Sequence, residues 1–187
     1  LDEDLRDVKE SNVITEAIAK LLKRFDHTKT IETEEFLRDY GDARFVRFML
    51  YLLVYHNQAR DWDEHGYRLG FEGSQALADF RPQWHHIFPK KFLQDKYDDD
   101  QINALANIAV IGLSINIRIS AQNPMNYLKK YKISSEKLAQ QFIPTDIAQF
   151  EVQNFPSFLQ NRSATLAEQA NAYLASLSHG IENNKTT

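Results

Sequence analysis

Trp84-His85-His86-Ile87-Phe88-Pro89 sets two imidazoles side by side in an otherwise apolar run, and the chain answers it with Asn107 and then Asn116. The aromatic and β-branched residues favour a strand over Trp84 to Phe88. Neighbouring strand residues point to opposite faces, so one histidine can face a metal while the other faces a substrate. Imidazole is the commonest side-chain metal ligand and the group best matched to moving protons near neutral pH. Pro89 has no N–H to give a ladder and ends the strand. Taken alone, His85 and His86 also fit a surface strand end with hydrogen-bonded rings, so the surrounding chain has to decide.

Downstream, a short helix carries Lys90, Lys91, Phe92 and Leu93, and Asp98-Asp99-Asp100 forms a turn or cap. Ala104 to Leu113 is an apolar, partly β-branched run whose second half suits a buried strand. Asn107 sits inside it, and a polar amide there must find partners or cost about 1 to 3 kcal/mol. Ser114-Ile115-Asn116-Ile117-Arg118 follows, then Ser120 to Pro124 leading into a helix over Met125 to Tyr131. Two strands and a helical arm, with paired histidines on the first strand and an asparagine at the start of the arm, make a ββα unit.

Upstream, Ser11 or Asn12 caps a helix running to about Phe25, and a short helix from Thr33 ends at Gly41. Asp42 caps a third helix, Ala43 to about Asn57, which is apolar almost all round and reads as buried. Between Arg60 and Phe80 periodicity fails, and Asp61, Asp63, Glu64 and His65 read as a solvated loop, with a short strand at Tyr67 to Phe71. Beyond the ββα unit, Ser134 or Ser135 caps a helix ending near Phe142. Pro156 suits the first turn of another, with Phe158, Leu159, Leu166, Ala170, Tyr173, Leu174 and Leu177 on one face and Arg162 on its more polar side.

With 187 residues, 43% hydrophobic and 26% charged, the chain has the material for one globular domain. Absence of cysteine excludes disulfides, thiolate zinc sites and cysteine nucleophiles, leaving a histidine/oxygen metal site open. The net charge of −4 is unevenly spread: Arg81 to Lys132 holds eight basic and four acidic residues, a balance of +4, so the remainder carries −8. Such a local basic surface suits phosphate backbone, and a solvated mixed-charge face fits the charge equally well. No apolar run approaches the ~18 residues a membrane span needs, so a soluble protein without membrane contact is expected. The opening Leu1-Asp2-Glu3-Asp4 reads as an excised piece of a longer polypeptide.

The string His85-His86-Ile87-Phe88-Pro89-Lys90, then Asn107-Ile108-Ala109-Val110, then Asn116, resembles the HNH branch of the His-Me finger (ββα-metal) nucleases. More closely it resembles the DUF1524 domain at the C-terminal end of GmrSD-type, modification-dependent restriction enzymes. The likeness covers roughly residues 42 to 178, continuing through Pro124, Tyr127-Leu128, Phe142-Ile143-Pro144, Phe158 and Arg162. His85 departs from the pattern by standing where many relatives have Asp or Glu.

The resemblance implies a mainly α, α+β fold: a helical domain with an embedded ββα-metal unit. Residues 1–80 form an N-terminal helical part, 81–132 the nuclease core, 133–178 a C-terminal helical part on the same domain, and 179–187 a flexible tail. The implied activity is metal-dependent DNA cleavage or nicking by hydrolysis of phosphodiester bonds. His86 is the general base, His85 and Asn116 hold one divalent ion, and Asn107 braces the site by fixing either the His86 tautomer or the strand geometry. The ion is Mg²⁺ or Mn²⁺, with Ni²⁺ or Zn²⁺ compatible. Lys90, Lys91 and Arg118 contact the DNA backbone, and Arg162 clamps a phosphate or pairs with an acidic neighbour. The implied setting is the cytoplasm of a bacterium or archaeon, in defence against phage, with an N-terminal DUF262 nucleotide-hydrolysing sensor as partner domain. A degenerate unit that binds nucleic acid or protein without cutting is the alternative.

Overall fold

Two strands carry the centre of the structure, a computed structural model that describes residues 30–69 and 82–183. β1 (Pro82–His86) and β2 (Ile108–Gly112) pair antiparallel, His85 opposite Ala109 and His86 opposite Ile108. β2 is buried on both faces, as its unbroken apolar run requires. Its alternate residues enter two hydrophobic clusters: Ala109 and Ile111 pack with Trp62, Tyr127 and Phe158, while Ile108 and Val110 pack with Leu50, Leu53 and Leu166. The sheet therefore separates two cores, and the period-2 rule sends His85 toward the first and His86 toward the second.

The outer edge of β2 is satisfied by side chains. The Gln141 side chain accepts from Val110 N–H at 2.8 Å and donates to Val110 C=O at 2.7 Å, standing in for a third strand. Asp61 Oδ1 accepts from Gly112 N–H at 2.8 Å at the strand's end.

The helices are α1 (Arg44–His56), α2 (Lys90–Leu93), α3 (Asp99–Ile102), α4 (Leu113–Ile119), α5 (Pro124–Lys130), α6 (Ser135–Ala139) and α7 (Phe155–Asn183). Side-chain caps start three of them: Asp98 accepts from Gln101 N–H, Asn123 from Met125 N–H and Ser134 from Lys137 N–H. Pro124 sits in the first turn of α5, where its missing N–H costs nothing. Thr33–Leu37 forms a 3-10 turn where a short helix is expected. The expectation of a mainly helical chain with a small sheet holds in that coarse form. No described helix is long and apolar enough to cross a membrane.

Several expectations need correction. α1 is not buried all round: Phe45 and Phe48 are 63% and 58% exposed, and Tyr55 joins them on a solvent-facing stripe. Its cap residue is Ala43, not Asp42, and makes no side-chain cap. Asp61 and Asp63 are buried rather than solvated, because Trp62 between them drops into the core and takes the loop with it. A helix begins directly after β2, so Asn116 lies in the middle of α4 instead of ahead of the first helix. α7 continues to Asn183, through part of the segment read as a tail.

The expected helix before Phe25 and the end of the strand expected at Tyr67 to Phe71 lie outside the described residues. Tyr67 and Arg68 fall within them, and Arg68 makes an isolated antiparallel bridge to Arg60. Ile31–His179 make up one compact unit, which holds every feature discussed below.

Candidate active site

His85, His86, Lys90, Lys91, Asn116 and Ser120 line one cleft of about 330 Å³. Three pieces of chain build it: the end of β1, the turn through Pro89 into α2, and the outward side of α4.

His85 is 4% exposed and its ring stands edge-on to Trp62 and Tyr127, with centroids 5.8 Å away in each case. Its Nδ1 lies 2.8 Å from Asn116 Oδ1. Its Nε2 is buried without a hydrogen-bond partner. Burial pushes the imidazole pKa down to about 4, against the opposing effect of the Asn116 bond, so the ring is neutral at pH 7.

His86 is half-buried on the other face, edge-on to Tyr40 at 5.5 Å. Its Nε2 lies 3.1 Å from Asn103 Oδ1. An amide oxygen can only accept, so Nε2 carries the proton and the free lone pair is on Nδ1. Burial lowers the His86 pKa, with the Asn103 bond and the Asp39 carboxylate opposing it. Asn103 is itself held by backbone pairing: its carbonyl accepts from Tyr40 N–H at 2.9 Å beside the Asp39–Ala104 bridge.

Asn107 lies behind the cleft, fully buried. Its Oδ1 accepts from Phe88 N–H at 2.9 Å, and its Nδ2 donates to Phe88 C=O at 3.1 Å and to Ile102 C=O at 2.9 Å. The amide thus fixes the backbone two residues past His86, and the His86 ring is bonded to Asn103 instead. Of the two bracing roles open in the sequence, the contacts are those of strand geometry.

Lys90 and Lys91 reach the cleft exposed, Lys90 in an ion pair with Asp99 at 2.8 Å. That pair is half-exposed on both sides and worth little, so a phosphate can displace Asp99. Arg118 is exposed but lines a different cavity, beside Tyr131.

Arg162 requires a correction, since it neither faces solvent nor meets an acidic side chain. It is fully buried, and its guanidinium donates to the carbonyls of Ala106 and Ile108 at 2.8 Å each and of Gln141 at 3.2 Å. Phe158, Arg162 and Leu166 are four residues apart on α7 and therefore share one face. Position 162 belongs to the buried stripe.

Whether these residues suit a divalent ion can be judged from the donors. His85 Nδ1 and Asn116 Oδ1 are 2.8 Å apart, near the roughly 3 Å between adjacent ligands in an octahedral shell with bonds of about 2.1 Å. Two neutral donors fit an ion that keeps several waters, and an imidazole favours Mn²⁺, Ni²⁺ or Zn²⁺ over Mg²⁺. As the structure stands Nδ1–H donates to Asn116 Oδ1, so ligation through Nδ1 would replace that hydrogen bond and require the ring proton to move to Nε2, the buried atom without a partner. Among the described residues no group of three or more His, Cys, Asp or Glu gathers for a stronger site.

Asn103, Asp61, Trp62 and Tyr127 are site residues that sequence reasoning did not find. Asp61 Oδ1 accepts from Trp62 N–H at 2.7 Å and from the N–H of Gly112, the residue that ends β2 and precedes α4, so it ties the loop to the helix bearing Asn116. Burial raises its carboxyl pKa while these two amide bonds oppose the rise. Tyr127 donates its hydroxyl to Ile87 C=O at 2.8 Å, which steadies the strand end from below. No family model, curated protein or solved structure matches the chain.

Proposed function

We propose that this chain is a metal-dependent DNA endonuclease domain of the HNH type, hydrolysing phosphodiester bonds with His86 as general base. The observation that carries the reading is the convergence, in one cleft, of a proton acceptor (His86), a two-donor ion seat (His85 Nδ1 and Asn116 Oδ1, 2.8 Å apart) and two lysines for phosphate.

The chemistry assigned to each residue follows from its surroundings. His86 stays neutral at pH 7, and with Nε2 committed to Asn103 its Nδ1 takes the proton from an attacking water. Lys90 and Lys91 bind the strand by phosphate contacts that carry no sequence information. Asn107 and Tyr127 hold the backbone at Ile87 and Phe88, so the base keeps its orientation. His85 and Asn116 would hold one divalent ion, which when bound supplies positive charge for a non-bridging oxygen and the departing oxygen of the phosphodiester. Mn²⁺ or Mg²⁺ is the proposed physiological ion, and Ni²⁺ or Zn²⁺ is compatible with the donors.

The same reading makes residues 81–132 a ββα-metal core and the domain the effector of a larger DUF262–DUF1524 restriction or anti-phage protein. The sensing domain would then be the partner in the chain and DNA the substrate.

Supercoiled plasmid incubated with Mg²⁺, Mn²⁺ or EDTA tests the proposal. Nicked circles should form with either ion, disappear with EDTA, and show little sequence preference, and the rate should fall steeply with salt. Binding without nicking under every ion would leave the degenerate, non-catalytic alternative standing. Fragments cut at one defined sequence would reveal a base-reading element that the cleft does not provide.

A further inference from the structure

We propose that a second cavity, built on α4, α5 and the Trp62 loop, seats a backbone phosphate of the same DNA, round α4 from the cleft. This extends the nuclease reading and rests on it for the identity of the ligand. α4 and the residue after it contribute to both places: Asn116 and Ser120 line the cleft, while Ile115 and Arg118 line the cavity. Asn116 and Arg118 are two residues apart, about 3 Å along the helix axis but about 200° around it, so a strand that meets both has to pass round α4.

The cavity, about 240 Å³, is lined by three cations, Arg118, Lys130 and Lys132. Among the described residues none of the three is in an ion pair. Arg118 and Lys130 lie over the Tyr131 ring, at 5.8 and 5.1 Å from its centroid, and Lys130 otherwise reaches only the Gln122 amide oxygen at 3.4 Å. Trp62 forms part of the wall, and its indole N–H is buried without an acceptor.

Two carboxylates oppose this, and neither cancels it. Asp63 is buried, its Oδ1 accepts from Gly66 N–H at 2.8 Å, and the Lys137 ammonium lies against its backbone carbonyl at 2.6 Å. Glu64 is exposed and free to turn to water. With Lys137 counted, cations outnumber carboxylates around the space.

The test measures binding of a fluorescent duplex in EDTA, where cleavage is off, at several salt concentrations. Lys130→Gln with Lys132→Gln should weaken binding roughly 10-fold and reduce the slope of log K against log salt by about 0.9, the worth of one neutralised phosphate. Lys129→Gln is the control: it neutralises an exposed lysine on the same helix that does not line the cavity. It should change affinity less than 2-fold and leave the slope alone. A double variant no weaker than Lys129→Gln overturns the subsite while wild-type nicking upholds the nuclease reading. Wild-type protein that neither binds nor nicks DNA overturns both.

Discussion

Arg162 brackets Asn107: a single guanidinium nitrogen donates to the carbonyls of Ala106 and Ile108, the residues on either side of it, at 2.8 Å each. The asparagine that braces the strand end is therefore held by an arginine from α7. Burial pushes the Arg162 pKa down to about 9, which still leaves it charged at pH 7 against three carbonyl oxygens. Arg162→Met should strand those oxygens and cost about 3 kcal/mol or more, hydrogen bonds to charged groups being worth about 1.5 to 3 kcal/mol each. Differential scanning calorimetry should show a Tm lower by roughly 5 to 10 °C. The salt slope of DNA binding, measured well below that Tm, should not change. A slope reduced by about one with Tm intact would put Arg162 back on a phosphate.

Stability should fall in acid through His85. Unfolded, the ring titrates near its ordinary 6.5, whereas folded it resists protonation to about 4. Between those values the unfolded state binds the extra proton, so the contribution is complete above about pH 6.5, declines as pH falls, and levels off below about 4. The full loss is about 3 kcal/mol, at 1.36 kcal/mol per pH unit of displacement. The lowered His86 pKa acts in the same direction. Thermal melts in EDTA from pH 7.5 to 4.5 should show His85→Gln losing less stability than wild type over that range. Parallel curves for the two proteins would show that His85 is not the buried titrating group.

The sheet was legible in the sequence, the bounds of its first strand less so. β1 runs Pro82–His86 rather than the expected Trp84 to Phe88, so it ends ahead of Ile87 and not at Pro89, while the Ile108–Gly112 run has the unbroken apolar character of a strand buried on both faces. His85, His86 and Asn107 stand out as polar residues in apolar runs, Asn116 was singled out by the resemblance, and the structure brings His85, His86 and Asn116 to one cleft with Asn107 behind it. What stayed hidden were contacts made across the fold. Asn103 looks like any loop asparagine until Tyr40 and Asp39 pair beside it. Asp61 looks like surface charge until Gly112 supplies the N–H that lets it be buried. Arg162 was legible in principle: its four-residue spacing from Phe158 and Leu166 placed it on the apolar stripe, and its charge argued the other way. The charge was outweighed because backbone carbonyls at the mouth of β2 needed a donor.

Asn107 offers a separate test of bracing. Asn107→Ala leaves Phe88 N–H, Phe88 C=O and Ile102 C=O without their side-chain partner. At about 1 to 3 kcal/mol per stranded group, partly relieved by relaxation, Tm should drop by roughly 5 to 10 °C. Nicking at low temperature should fall with it, because the backbone after His86 loses its anchor. An unchanged Tm with full nicking would remove Asn107 from the site.

The two histidines point to opposite faces of β1 and should fail in different ways. His86→Ala removes the proposed base, so turnover should fall roughly 10² to 10⁴-fold, the usual range for a general base, while calorimetric ion binding stays near normal. His85→Ala removes one of two donors, so ion affinity should fall and nicking should recover in part at high Mn²⁺. His85→Asp is the sharper variant, since it restores a donor as a carboxylate, which a hard cation prefers to imidazole. That change should move the ion preference from Mn²⁺ toward Mg²⁺ and keep measurable nicking. It also places a charge beside Trp62 and Tyr127, so some loss of stability should accompany the shift. Ion binding abolished by His86→Ala and untouched by His85→Ala would reverse the two roles, making the half-buried ring the ligand and the buried one structural.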